Sequence, residues 1–465
     1  MLNLKEVSAV DKLEAQLERA KKSNYKKNKY YYQKNRIKDL GINTPPSLVG
    51  MQVQLGWCKM AVDVLAERIN WRGYYNPEAS NAELAEITEW LNGLYKDNFF
   101  EGEQQLALKD ALTTGTGFIS VGAGDVENGE PEVIWIAENS STITVQYNKR
   151  KRTVESAFKL IAGQKREEDT AILWLPDSTV ELYRRGEDWA EYDRDDHGAG
   201  VVGVVPIFNN SDSNYVYGRS EISRSLRDLM DSAKRTLVNA EINREYYARP
   251  QRFLIGVDAG DVELIDEHGS KMIKTAAGDM VYLPYNNSDS VAPTISEFSA
   301  NSPNAVMEMI KPIAVMAARE IGVPPSYMGF DAVNPSSADA INAAEAALTK
   351  RADARIVQLK RAYRRLANVS MAYAGRDKPE NWNSIDTIFD RTETLTPSAA
   401  ADRSAKLSAV GIYEKELPNY LYRELGFSDA EIVELKDYLR KVSTTNVIDR
   451  LTEEASVEGD VNGSN

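Results

Sequence analysis

Residues 323–341 read Val323-Pro324-Pro325-Ser326-Tyr327-Met328-Gly329-Phe330-Asp331-Ala332-Val333-Asn334-Pro335-Ser336-Ser337-Ala338-Asp339-Ala340-Ile341, a loop broken by glycine and proline that runs into a helix start. Ser336 and Ser337 offer an N-cap, and Asp339 places a negative charge in the first turn, where the helix dipole favours it. Beyond it Ile341, Ala344, Leu348, Ala352, Ile356, Leu359, Tyr363, Leu366 and Tyr373 keep a helical spacing. The spacing predicts one helix over 338–374, about 56 Å long at 1.5 Å per residue. Such a helix needs partners along its length, from its own fold or from neighbouring subunits. Tyr327, Met328 and Phe330 are large apolar residues on the loop before it, where a compact monomer has little reason to place them unless they pack into a core.

Upstream, Ile222, Leu226, Leu229, Met230, Ala233, Leu237 and Ala240 predict a helix over 219–247 that ends at Arg249 and Pro250, with Arg224/Asp228 and Asp231/Arg235 as outer-face pairs. A small β-module follows, with strands expected at Arg252 to Val257, Val262 to Ile265 and Met280 to Leu283. A second helix is expected from Pro303 to Ile321, with Pro312 inside it as a kink. Two helices flanking a β-module read as a stalk with a tip. Earlier still, helices are expected over 47–69 and from Ala82 to Tyr95. Between 117 and 208, short β-branched and aromatic runs predict strands at Phe118 to Val121, Val133 to Ile136, Thr142 to Tyr147, Ala171 to Trp174, Thr179 to Tyr183 and Trp189 to Tyr192. After the long helix come a strand from Trp382 to Phe389 and three helices, Pro397 to Val410, Glu414 to Leu425 and Ser428 to Val442. The fold class is therefore α+β and helix-dominated.

Composition narrows the function. Among 465 residues, 42% are hydrophobic and 27% charged, an ordinary globular balance sufficient for two to four domains. The longest apolar stretch, Val201 to Phe208, is far short of the ~20 residues of a membrane helix, which argues against an integral membrane protein. Lys5, Asp11 and Lys12 interrupt the N-terminus before a signal core forms, and Cys58 is the only cysteine, so folding in a reducing cytoplasm is expected. The net charge of −14 opposes tight nonspecific binding to nucleic acid, which depends on neutralising phosphates. Charge is uneven: Lys21, Lys22, Lys26, Lys27, Lys29, Lys34, Arg36 and Lys38 make the N-terminal segment basic.

No reactive centre emerges. Gly115, Gly117, Gly122 and Gly124 match neither phosphate-binding nor dinucleotide spacing, and read as a tight strand start and turn. Asp193 to His197 has carboxylates for a divalent cation, but the neighbouring Gly198 and Gly200 favour a solvated hairpin tip. Neither His197 nor His268 belongs to a nucleophile motif. No catalytic residue, cofactor or metal site is assigned.

The quoted stretch resembles the portal proteins of tailed double-stranded-DNA bacteriophages, of the type common in siphoviruses. The likeness is densest over Val323 to Tyr373, in the Val-Pro-Pro-Ser-Tyr-Met-Gly run, in Asn334 to Ile341 and in the Ala-, Lys- and Arg-rich helix after them. Weaker matches lie at Ala111 to Val121, which is similar to the family's Gly-rich wing strand, at Tyr217-Gly218-Arg219-Ser220-Glu221, similar to the start of its first stem helix, and at Asp390 to Gly411, similar to the passage from strand to crown.

The resemblance implies a homo-oligomeric ring, typically of about twelve subunits, at one capsid vertex of the virion. It would assemble in the host cytoplasm, pass double-stranded DNA in transient contact, and meet the terminase large subunit, a head-tail adaptor and the major capsid protein. By analogy, residues 1–216 are the wing, 217–249 and 302–321 the stem helices, 250–301 the clip, 322–337 the tunnel loop and 338–374 the tunnel helix. Residues 375–396 are then a returning wing strand, 397–451 the crown and 452–465 a flexible tail. Tyr327, Met328, Phe330, Asp331 and Asn334 are the DNA-facing candidates. Lys350, Arg351, Arg355, Arg361, Arg364 and Arg365, with Lys360, are expected to pair with acids of a neighbouring subunit, because a dense arginine lining would retard DNA. Asp261, Glu263, Asp266 and Glu267 are the clip's partner-binding candidates. The alternatives are a scaffold-like assembly protein, which lacks a reason for the β-rich 117–208 region, and a metal-dependent nucleic-acid enzyme.

Overall fold

Asn3 starts the first helix by a reciprocal cap: its side chain accepts from the Lys5 and Glu6 backbone amides while Glu6 accepts from the Asn3 amide at 2.8 Å. In the computed structural model the described residues are 2–37, 52–77, 81–247, 252–255, 265–267, 270–275, 278–283, 294–297, 303–329, 338–393, 397–409, 419–428 and 430–441. They fall into two units, one of Met1–Pro335 with Ala343–Phe389, the other of Ser336–Asn342 with Asp390–Asn465.

Helix α1 (Leu4–Tyr31) was hidden in the sequence by its many charges. Val10, Leu13 and Leu17, spaced three and four apart, bury one stripe against the strands described below. The basic residues are not all on a solvated face, because the Lys27 ammonium donates to the Thr114 carbonyl at 2.5 Å. Burial and the nearby Arg227 charge pull its pKa down to about 8, against the opposing pull of Asp110.

The helix expected over 47–69 is shorter: α2 is Trp57–Ala66. Residues 47–51 lie outside the described ones, and 52–56 are not helical. Tertiary contacts override the helical period here. Gln52 bonds both backbone groups of Ile37, Val53 packs beside Ile37 against Val238 and Ile242, and Gln54 accepts from Lys234. Strand β1 (Trp71–Tyr75) and helices α3 (Ala82–Asp97) and α4 (Phe100–Thr114) follow, of which β1 and α4 were not foreseen.

Strands β2 (Thr116–Ala123), β3 (Val133–Glu138), β4 (Ile143–Asn148), β5 (Thr153–Ile161), β6 (Thr170–Trp174), β7 (Thr179–Arg185), β8 (Asp188–Asp195) and β9 (Val204–Phe208) make two sheets. One is ordered β3-β2-β9. The other is an antiparallel meander, β4-β5-β6-β7-β8. Phe158, Leu160, Leu173, Val180 and Leu182 of the meander receive the apolar stripe of α1. Strand β5 is the one member of the meander missed in the sequence. The β7–β8 turn is at 185–188, so Asp193 to His197 is the far end of β8 rather than a hairpin tip. His197 half-buries there, with its Nε2 3.3 Å from the Tyr373 hydroxyl.

Helix α5 is Arg224–Tyr247 rather than 219–247, and α6 is Pro303–Ile321, continuous across Pro312. The two pack together. Asp231 does not lie on the outer face of α5, because it accepts from the Tyr30 hydroxyl at 2.5 Å and from Asn35 at 3.1 Å. Between the two helices lie β10 (Arg252–Ile255), β11 (Ile265–Glu267), β12 (Ser270–Thr275), β13 (Gly278–Leu283) and β14 (Thr294–Glu297), in the order β11-β12-β13-β10-β14. The β-module is thus a five-stranded sheet, and of the strand expected at Val262 to Ile265 only Ile265 lies among the described residues, as the first residue of β11.

Helix α7 (Ala338–Tyr373) runs for 36 residues. Leu348, Ala352, Leu359, Tyr363 and Leu366 enter the main core with Trp57, Leu65, Trp71, Leu226, Met230, Ala314 and Ala318. Strand β15 (Asp386–Phe389) returns to pair antiparallel with β1, after a short helical turn at Trp382–Ser384 that replaces the first part of the expected strand. In the second unit, α8 (Pro397–Ala409) packs on α9 (Asn419–Glu424), and Ser428 and Glu431 cap a helix over 430–441.

Candidate functional site

The segment Tyr217 to Glu221, between β9 and α5, is where four parts of the first unit meet. Gly218 has φ of 78°. A Cβ there would run into the carbonyl oxygens of Gly115 and Asn209, so the backbone approach itself demands glycine. The Asn209 amide donates to the Gly115 carbonyl at 2.9 Å, Arg219 N to Asn209 O at 2.7 Å, Glu221 N to Leu112 O at 2.8 Å, and the Ser220 hydroxyl to Thr113 O at 2.5 Å. This lacing onto the end of α4 holds 218–222 in a non-helical path, which is why α5 begins later than periodicity predicts. Gly115, which caps α4 at φ 107°, and Gly117, whose Cβ would meet the Ala107 carbonyl, serve the same close packing. The glycine run is a strand start.

Glu221 is the centre of this junction, with its side chain 1% exposed. Arg355 Nε donates to Oε1 at 2.8 Å, Asn209 Nδ2 donates to the same oxygen at 2.9 Å, and Arg351 Nη2 pairs with Oε2. Burial alone would raise the Glu221 pKa. The Arg351 and Arg355 charges, with hydrogen bonds from Arg355 and Asn209, outweigh it and hold the carboxyl below the ordinary glutamate value. Arg351 Nη1 also donates to the Glu320 and Ile321 carbonyls, at 2.8 and 2.6 Å, which closes the C-terminus of α6. One ionised carboxylate thereby joins the β9–α5 link, the end of α6 and the middle of α7.

Five of the seven basic residues singled out on α7 have partners within their own chain. Arg351 and Arg355 pair within their own chain. Arg364 and Lys360 meet Asp386 at 3.2 and 3.1 Å, and Arg365 donates to the Tyr147 hydroxyl at 3.2 Å and the Arg152 carbonyl at 2.7 Å. Lys350 and Arg361 are exposed. Glu221 stood in the sequence only as the last residue of the Tyr217 to Glu221 motif, with no partner assigned to it, and Asn209 was not singled out. The available signal was Arg355 itself, which falls on the apolar stripe of α7 beside Ala352, Ile356 and Leu359 and so needed a buried acid.

The loop after α6 is described as far as Gly329. Pro325–Met328 form a helical turn closed by Gly329 at φ 75°. Tyr327 is 40% exposed, yet its hydroxyl donates to Glu345 Oε1 at 2.5 Å, and Arg68 holds the other Glu345 oxygen at 2.6 Å. Met328 packs against the main core, the packing role weighed above. Phe330, Asp331 and Asn334 lie outside the described residues, as do Asp261 and Glu263. Asp266 and Glu267 sit on β11, opposite Lys271 and Ser270.

Among the described residues no cluster of three or more His, Cys, Asp or Glu is placed to hold a metal, and no helix is long and apolar enough to cross a membrane. The family described as phage portal protein, SPP1 Gp6-like, matches residues 11–437. The portal protein of Mycobacterium phage L5 is 26% identical over 415 residues, 88% of this chain and 83% of its own length. That of Mycobacterium phage D29 is 26% identical over 418 residues with the same coverage. Among solved structures, the neck of an empty gene transfer agent particle, computed with C6 symmetry, matches at a TM-score of 0.43 and 16% identity over 83% of this chain and 95% of that one. The virion of a native gene transfer agent particle matches at 0.41 and 16%, over 80% and 90%. The family assignment does not rest on these looser likenesses. It rests on a match that takes in nearly every element described above, from α1 to the helix over 430–441, and by it this chain belongs to the SPP1 Gp6-like family of phage portal proteins.

Proposed function

We propose that this portal protein acts as a closed ring of about twelve copies at one vertex of the capsid. The ring admits the genome during packaging, seats the terminase large subunit and later a head-tail adaptor, contacts the major capsid protein and releases DNA at ejection. The observation that carries this reading is the family match over residues 11–437 together with the order of elements in 224–373: helix, five-stranded sheet, paired helix, loop and 36-residue helix. In this reading residues 1–216 form the wing, α5 and α6 the stem, 250–301 the clip, 322–337 the tunnel loop, 338–374 the tunnel helix, 375–396 the returning strand and 397–451 the crown. The protein's role is structural rather than enzymatic.

The net charge of −14 supports a conduit whose wall does not grip phosphate. Asp266 and Glu267 on the edge strand β11, with Asp261 and Glu263, offer a negative surface to terminase or adaptor. Lys350 and Arg361, exposed on α7, remain for acids of the neighbouring subunit. With Tyr327 tied to Glu345 and Met328 packed against the core, Phe330, Asp331 and Asn334 are the loop residues left to face the bore. Particles carrying Phe330→Gly with Asp331→Asn should form normal rings but package or retain DNA several-fold less well, read as packaged length and yield. Wild-type packaging would remove the loop from the channel.

A further inference from the structure

The longest uninterrupted run of basic residues in this acidic chain, Lys149-Arg150-Lys151-Arg152, forms the turn between β4 and β5, and all four are exposed. The turn is firmly built. Asn148 Oδ1 accepts from the Arg150 and Lys151 amides at 2.9 and 3.0 Å, and Asn148 O accepts from Arg152 N at 2.7 Å. From α7, Arg365 holds the Arg152 carbonyl and lies over the Tyr147 ring at 5.3 Å. Four like charges fixed in one turn repel each other, and a negatively charged partner relieves that repulsion.

Strand register shows where a matching surface lies. Tyr147 pairs with Val154, Trp174 with Thr179, and Thr179 with Asp195. The basic turn and the C-terminal end of β8 are therefore at the same end of the meander, on opposite edges. Four strand spacings separate those edges, about 19 Å. At the β8 corner Asp193, Asp195 and Asp196 are exposed. The intervening Arg194 does not neutralise them, because its guanidinium is held by Glu6 at 3.1 Å and Glu191 at 2.8 Å. A basic turn on one edge and an acidic corner on the other allow copies to join head to tail, the kind of contact that repeats around a ring.

We propose that Lys149, Arg150 and Lys151 of one subunit dock on Asp193, Asp195 and Asp196 of a second copy, a contact that rests on the ring reading above and specifies its lateral surface. Duplex DNA is the other polyanion the turn fits. A second copy is favoured because the complementary corner lies at the same end of the same sheet, and because the chain as a whole repels phosphate.

The test uses full-length chain and follows ring formation by native mass against protein concentration. Wild type is compared with Lys149→Glu/Arg150→Glu/Lys151→Glu, with Asp193→Lys/Asp195→Lys/Asp196→Lys, and with both sets in one chain. All six positions are exposed, and circular dichroism melts check that each variant folds. Either reversal should raise the concentration for half assembly by roughly tenfold or more, and the combined chain should return close to wild type. Raised salt should weaken the wild-type ring, since the screening length is about 8 Å at 0.15 M. Either reversal assembling like wild type, or a folded combined chain that does not recover, overturns the pairing. A turn variant that keeps its ring but loses retention of duplex DNA assigns the turn to phosphate and also overturns it. Wild type that stays monomeric sinks the ring reading itself, and is seen before any variant is scored.

Discussion

Glu221→Ala should destabilise the protein by about 3 to 5 kcal/mol, because it leaves two arginines at a buried site without their counter-charge. The side chains of Arg351 and Arg355 are 25% and 10% exposed, so neither can return fully to water without moving α7. In thermal melts followed by circular dichroism this corresponds to a loss on the order of 10 °C. A triple replacement, Glu221→Leu with Arg351→Met and Arg355→Leu, should recover most of that loss, since apolar groups of similar volume do not carry the desolvation cost. The effect is also pH-dependent in a fixed direction. Glu221 is held below its ordinary pKa in the fold, so its contribution is complete above the pKa of the unfolded chain and disappears as pH falls through the folded value. The gap between wild type and Glu221→Ala should therefore be full at neutral pH and close in acid. A gap that stays constant into acid, or a change under 1 kcal/mol at pH 7, would show that the junction does not depend on this carboxylate.

Trp71→Ala should cost a comparable amount, about 3 to 5 kcal/mol. Trp71 is fully buried and stacks on Tyr363 with ring centroids 4.1 Å apart and 7° between planes. Tyr74, Tyr95 and Phe100 meet its faces and edges at 5.1, 5.1 and 5.9 Å. Its indole N–H donates to Gly73 O at 2.8 Å, and the Tyr74 hydroxyl donates to the Tyr363 carbonyl at 2.8 Å. Removing the indole opens a cavity where β1, α3, α4 and α7 converge, and no one of them can collapse into it without pulling on the others. Trp71→Phe should lose much less, because it keeps the stacked ring while giving up the N–H bond and part of the volume. Denaturant unfolding gives both values, and a Trp71→Ala midpoint within error of wild type would place the weight of the core elsewhere.

Helices α6 and α7 were legible because their apolar residues keep one period over many turns and because glycine, proline and serine mark their ends. The strands were legible where β-branched residues cluster, and β5 was missed because Glu155, Ser156 and Lys159 interrupt its β-branched and aromatic residues. Helix α1 was concealed by lysines around a narrow stripe of three apolar residues, though Asn3 and Glu6 carried a readable cap. The stretch 52–56 shows the opposite failure: Val53 and Trp57 keep helical spacing, but Gln52 and Gln54 make hydrogen bonds to distant parts of the chain that no local pattern reveals. The junction was half legible. Tyr217 to Glu221 stood out as a motif and the basic face of α7 as a charge pattern, but that the two are each other's partners depends on a separation of 130 residues, which only the fold supplies.

Whether the protein forms a ring with an axial channel is decided by native mass of the full-length chain combined with top-view particle images. Closed annular particles of about 620 kDa are expected for twelve copies of the 51.9 kDa chain, with a central hole wide enough for a DNA duplex. A monomer near 52 kDa at micromolar concentration across salt conditions, or a solid particle without a hole, would contradict it.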